Sequence, residues 1–249
     1  AKGAVITSPI GLWAAPDGTL YFVEAGSSQV RSIGPDGKLG TVAGALAGAA
    51  VGLAAGVPVN GPGGLALDAE GRMYLVESLT GTIKRLVGDR LEAFAGTVSG
   101  YGGDGGPALQ AAFQSPAGLL FVPEPAPATG AALWIADVLN QAIRRVGPDG
   151  VVSTVARKAE SKELDGRVAY PRLAVPLGAP ASLARASDGR IYVADTKRHV
   201  IWRLDPAGGD VEVFAGSLKG EPGGEGDGEG VAACRLHFPS SVVIDAKDR

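Results

Sequence analysis

Apolar residues in this chain come in short runs, and the runs recur in one order. A run led by proline is followed by an acidic-Gly turn, a second run ending in an acid, and a third run carrying basic residues. The first copy reads Ser8-Pro9-Ile10-Gly11-Leu12, Pro16-Asp17-Gly18, Leu20-Tyr21-Phe22-Val23-Glu24 and Val30-Arg31-Ser32-Ile33. The second has Gly61-Pro62-Gly63-Gly64-Leu65, Met73-Tyr74-Leu75-Val76-Glu77 and Ile83-Lys84-Arg85-Leu86. The third has Ser115-Pro116-Ala117-Gly118-Leu119, a longer insertion, Leu133-Trp134-Ile135-Ala136-Asp137 and Ile143-Arg144-Arg145-Val146. The fourth has Ala179-Pro180-Ala181-Ser182-Leu183, Ile191-Tyr192-Val193-Ala194-Asp195 and Ile201-Trp202-Arg203-Leu204. A fourth short strand follows in each copy, at 40–44, 91–96, 152–156 and 211–216.

Four short antiparallel strands make the composition of a β-propeller blade. Such a sheet has two apolar faces to hide, so copies must stack side by side around an axis. The pattern therefore predicts an all-β propeller, read as one domain over residues 1–249, with repeats at about 8–60, 61–114, 115–178 and 179–237. A partial fifth copy, 238–249, supplies a first strand at Phe238–Asp245. Ala4–Thr7 is a candidate fourth strand for that same blade, and the count points to a fragment of a five- or six-bladed ring.

Composition supports a folded all-β chain: 45% hydrophobic and 20% charged residues lie outside the signature of disorder, and 39 glycines with 17 prolines favour tight turns. A net charge of −3 gives no broad positive field, which argues against nucleic acid and anionic membrane as partners. Cys234 is the only cysteine, so no internal disulfide forms. The apolar stretch Gly44–Val59 is rich in Ala and Gly and too short to span a bilayer; it reads as a packed loop or short helix, and no membrane insertion is expected.

Alternating strand direction puts the loops between second and third strands, and the long connections between blades, at one end of the molecule. Chemistry is expected there, because the Asp-Gly turns at the other end are chosen for geometry. The runs Leu133–Asp137 with Asn140-Gln141-Ala142-Ile143, and Ile191–Asp195 with Arg198-His199-Val200-Ile201, resemble the NHL-repeat signature, in which an apolar strand closes on Asp and a short loop ends in Asn-His. Gln141, Arg198, Glu24 and Glu77 depart from it. The loop Gly100-Tyr101-Gly102-Gly103-Asp104-Gly105-Gly106-Pro107-Ala108 also resembles loops of secreted bacterial NHL-repeat proteins and teneurin-like propellers, with a looser version at Gly223–Gly228. The resemblance implies a propeller in an extracellular or cell-surface setting. It implies no single activity, since the family includes RNA binders, interaction modules, sensors and lyases.

Candidate binding residues on the loop-rich face are Tyr101, Asp104, Asn140, Gln141, Lys197, Arg198, His199 and Asp227. Asp104 and Asp227 are also the weak candidates for a Ca²⁺ site, but each loop has too few carboxylates for six to eight oxygens, so the turn reading is favoured. His199 and His237 are the only histidines; a structural role is favoured for the first and packing for the second. The basic pairs of the third strands read as partners of Glu24, Glu77, Asp137 and Asp195 one strand over. No linear catalytic motif occurs. The sequence thus favours a noncatalytic scaffold without cofactor that binds a protein, peptide or glycan, within a larger polypeptide or assembly. A propeller lyase or hydrolase with an axial site, and a structural module of a surface protein or fibre, are the alternatives.

Overall fold

The structure, a computed structural model, describes residues 3–44, 56–124, 130–159, 163–230, 233–245 and 247–249. The expectation for Gly44–Val59 falls mainly on 45–55, outside the described residues. Among the described residues the secondary structure is strand, apart from 3-10 turns at Ala25–Ser27, Ala108–Gln110 and Arg172–Ala174. No helix in them is long and apolar enough to cross a membrane.

The first sheet is β1 (Pro9–Ala14), β2 (Leu20–Glu24), β3 (Gln29–Ile33) and β4 (Leu39–Ala43), in that order. The second is β5 (Pro62–Leu67), β6 (Met73–Glu77), β7 (Thr82–Val87) and β8 (Arg90–Ala95). A parallel pair follows, β9 (Val98–Ser99) with β10 (Ala112–Phe113). The third sheet is β11 (Pro116–Pro123), β12 (Ala131–Asp137), β13 (Ala142–Val146) and β14 (Val152–Arg157). In the fourth, β16 (Pro180–Arg185), β17 (Ile191–Asp195), β18 (Val200–Asp205) and β19 (Gly208–Gly216) are joined at the far edge by β15 (Ala169–Tyr170). By compactness the chain divides into residues 1–121 and 122–249.

Three devices recur and explain the repeated residues. The turn from first to second strand closes with N–H to C=O bonds from Ala15 to Thr19 at 2.8 Å, Asp68 to Arg72 at 3.1 Å and Ala186 to Arg190 at 2.9 Å. Next, the residue before each third strand is left-handed: Ser28, Gly81, Gln141 and His199 have φ of 55°, 71°, 52° and 59°. The glycine that ends or follows the fourth strand lies against its carbonyl. A Cβ on Gly44, Gly96 or Gly216 would fall 2.4, 2.3 or 2.3 Å from the oxygen of Ser28, Gly81 or His199. The last device is a bulge between third and fourth strands, at Val30/Arg31, Ile83/Lys84, Ile143/Arg144 and Ile201/Trp202. Bulges re-aim side chains.

Within residues 1–121 the first strands approach closely. A Cβ on Gly64 would lie 2.5 Å from the Ala117 carbonyl, which accounts for glycine two positions after the leading proline. Tyr74 meets Phe94 and Phe121 edge-on, each at 4.8 Å between ring centroids. Such pairs stabilise by about 0.5–1.5 kcal/mol beyond area burial. Within residues 122–249, β12 packs on β16, and the fully buried Trp202 meets Tyr170 edge-on at 5.9 Å.

The expected fifth-copy strand differs from what the structure holds. Phe238–Asp245 is not in a strand, and neither is Ala4–Thr7. A first strand needs a partner ladder to satisfy its backbone groups, and no strand pairs with Phe238–Asp245 among the described residues.

Candidate functional site

The acid that ends each second strand is the fixed point of its module. Glu24, Glu77, Asp137 and Asp195 are 2%, 3%, 0% and 0% exposed, so their carboxylates require partners. One partner is the backbone leading into the first strand. Thr7 N–H donates to Glu24 at 2.7 Å, Asn60 N–H to Glu77 at 3.1 Å, and the N–H groups of Gly178 and Ala179 to Asp195, both at 2.8 Å. The other comes from the third strand, re-aimed by the bulge: Arg31 to Glu24 at 2.9 Å, Lys84 to Glu77 at 3.8 Å and Arg144 to Asp137 at 3.4 Å. In the fourth sheet the position is Trp202, whose indole N–H donates to Asp195 at 3.0 Å. The outward residues Arg85 and Arg203 pair instead with Glu92 and Glu212 on the fourth strand, and Arg145 with Glu124. The charge pairing expected from the sequence thus holds, with Trp202 as the exception.

These partners set the proton affinities. Burial pushes the Glu24 carboxyl up, but the Thr7 amide and hydroxyl and the Arg31 guanidinium outweigh it and hold the group below its usual range. Asp195 goes the other way. Burial raises it despite donation from Ala179, Trp202, Gly178 and Arg198.

The loop after β17 carries Lys197, Arg198 and His199. Lys197 is exposed. Arg198 donates to the Pro176 carbonyl at 2.8 Å and is ion-paired with Glu163, which ties it to the connection entering the blade. His199 is 8% exposed, and its Nδ1 accepts the Phe238 N–H at 3.1 Å. That bond leaves no proton on Nδ1, and burial, with His237 nearby, lowers the His199 pKa against the opposing pull of Asp195. His199 is therefore the structural histidine expected. His237 packs as expected, stacked on His199 at 5.8 Å and 13° with Phe238 edge-on to both rings, but it does so while exposed. Phe238 φ is +50°, which turns the chain so that its amide reaches His199 and its ring meets both imidazoles.

The remaining candidates lie in turns and loops between strands. Asn140 donates to Asp137 at 2.8 Å, and Gln141 to the Gly178 carbonyl at 3.1 Å. Tyr101 and the exposed Asp104 sit in a loop closed by Ala112 N–H to Gly102 O at 3.4 Å and Gly106 N–H to Gly103 O at 3.0 Å. Asp227, also exposed, sits in a second loop of the same design, closed by Arg235 N–H to Glu225 O at 2.9 Å. A Cβ on Gly103 or Gly226 would lie 2.6 Å from the Cα of Ala111 or Cys234, so both loops require glycine. Among the described residues no three His, Cys, Asp or Glu side chains converge as a metal would need. The site thus brings Arg198 and His199 together with His237 and Phe238, which sequence spacing could not reveal because 39 residues separate the bonded pair.

No protein-family model matches the chain, and no curated protein matches it. Solved structures do. Virginiamycin B lyase from Staphylococcus aureus is 14% identical with a TM-score of 0.53, over 83% of this chain and 55% of that one. A streptogramin B lyase is 15% identical with a TM-score of 0.51, over 84% and 69%. A chain in the nidogen/laminin complex is 18% identical with a TM-score of 0.61, over 97% and 70%. The fold is a β-propeller. The chain spans about half the length of the virginiamycin B lyase it matches. The finer NHL-repeat resemblance finds no family match.

The preference for a noncatalytic scaffold is corrected by these likenesses. It rested on the lack of a linear motif, yet solved structures of similar fold include lyases. Site residues in such a fold come from separate loops, so a missing linear motif carries no weight against catalysis.

Proposed function

We propose that this chain belongs to a β-propeller enzyme of the lyase or hydrolase class, with His237 as its proton-transferring group and His199 as the residue that positions it. The observation that carries this reading is the exposed imidazole stacked on a buried one whose Nδ1 is committed to a backbone amide. An imidazole is the usual general acid or base at neutral pH. A fixed neutral ring beneath it holds its orientation without adding charge. The likeness to virginiamycin B lyase supports the reading, because a histidine-to-alanine variant of that enzyme is catalytically inactive.

Incubation with quinupristin, the compound bound in that inactive variant, followed by mass spectrometry, tests the proposal. Products that together keep the substrate mass mark a lyase, and a gain of one water marks a hydrolase. The His237→Asn variant should lose roughly 10²–10⁴-fold in rate. His199→Asn should shift the pH profile. A rate unchanged by His237→Asn contradicts the proposal.

A second reading, recognition of a protein, peptide or glycan through the same loops, draws support from the likeness to a chain of the nidogen/laminin complex, which extends over 97% of this chain. Saturable binding that Lys197→Glu abolishes, with no turnover of any substrate, would favour it.

A further inference from the structure

Phe238–Asp245, with the turn bonds of Asp245, Asp248 and Arg249, repeats several bonds of the first segment and first turn of the earlier modules. Phe238 is left-handed at φ +50°, as are Ser8, Gly61 and Ser115 before their prolines, at 47°, 60° and 47°. Thr196 Oγ1 donates to the Pro239 carbonyl at 2.9 Å, as Ser78 Oγ donates to Pro116 at 2.6 Å. Asp245 N–H then bonds Arg249 O at 2.9 Å and Asp248 N–H bonds Asp245 O at 3.0 Å; the Asp68 turn has the same bonds at 3.1 and 3.0 Å. Arg249 N–H donates to Asp245 Oδ1 at 2.9 Å, and Arg72 N–H to Asp68 Oδ1 at 2.8 Å.

What differs is cover. Val243 is 80% exposed, whereas its counterparts Ala66 and Ala184 are 0% and 8% exposed, each paired with a second-strand tyrosine, Tyr74 or Tyr192. Val243 lines, with Tyr192, Ile201, Phe214, Val242 and Ile244, a cavity of about 350 Å³.

We infer that the outer edge of Val242–Asp245 is a preformed acceptor for one more antiparallel β-strand, the second strand of a further module of this same repeat. An extended first-strand segment that no second strand yet pairs with, beside apolar surface, is the geometry that β-strand addition completes. The occupant's chemistry follows from its four counterparts: an apolar residue, Tyr or Trp, two apolar residues, then Glu or Asp. Its acid also has a receiver. In the earlier modules the N–H two residues before the leading proline bonds that acid, from Thr7, Asn60 and Gly178, and here the position is His237.

A fluorescent peptide copying Arg190–Thr196 of this chain, titrated into the 249-residue protein, tests the inference. Expected are saturable binding, slowed amide exchange at Val242–Asp245, and at least about tenfold weaker binding, about 1.4 kcal/mol, for a peptide with lysine in place of its acid. Val243→Asp in the protein should weaken binding comparably; Val243 is exposed, so folding is spared, and circular dichroism checks it. No saturable binding, or equal binding of a scrambled peptide, would overturn the inference. So would a dimer that Val243→Asp disperses while the peptide stays unbound, since that would assign the edge to a second copy.

Discussion

Asp137 and Asp195 close the second strands of the third and fourth sheets, both with no exposed surface, yet one faces the guanidinium of Arg144 and the other the indole of Trp202. The module therefore requires a buried acceptor at this register more than it requires an ion pair. Where a cation is present the carboxylate is neutralised by charge. Where it is absent, the four donors to Asp195, from Gly178, Ala179, Arg198 and Trp202, must suffice. Three of these donors are backbone amides, which fixes the connection and the following loop around the carboxylate. That loop carries His199, so the sheet that departs from the ion pair is also the one that builds the histidine stack.

Substitutions that separate charge from hydrogen bonding would sharpen this comparison. The largest effect is expected for Arg144→Met, which leaves Asp137 as a buried anion without its cation: about 3–5 kcal/mol lost in urea unfolding. Asp195→Asn should cost less, about 2 kcal/mol, because relief from burying a charge offsets two donors left facing an amide NH₂. The comparison breaks if Asp195→Asn proves the more damaging change. Arg203→Ala, which removes the outward ion pair with the half-exposed Glu212, should change stability by no more than about 1 kcal/mol.

The smallest effect is one of pH, and its sign separates the two acids. Glu24 has a folded pKa below its ordinary 4.5, so its stabilisation is complete above pH 4.5 and is lost as pH falls toward the folded value. Asp195 has a folded pKa above its ordinary 3.8, so its contribution is complete below pH 3.8 and is lost as pH rises through the folded value. Unfolding free energies of Glu24→Gln and Asp195→Asn followed from pH 7 to pH 3 should therefore differ from the parent with opposite slopes.

The second strands Leu20–Glu24, Met73–Glu77 and Ile191–Asp195 were legible to the residue, because a continuous apolar run, a terminal acid and a flanking Gly or Asp-Gly turn all mark the same boundaries. The partnership of Arg31 with Glu24 and of Arg144 with Asp137 was legible from register alone. Trp202 was not, since an indole standing in for a cation leaves no charge pattern. The exposure of His237 was equally hidden. It depends on a left-handed Phe238 and on a bond to a residue of another module, and neither local propensity nor repeat spacing encodes such a contact. The Phe238–Asp245 expectation erred differently: the sequence has a first strand's pattern, but strand pairing is a property of two segments, and one was missing.

The stack itself can be read directly by nitrogen NMR of the two imidazoles as a function of pH. A His199 whose Nδ1 is free of its proton and whose pKa lies below the ordinary 6.5 is the expected result. A His199 that carries its proton on Nδ1, or titrates at or above 6.5, would contradict the account of a fixed neutral ring beneath the working one.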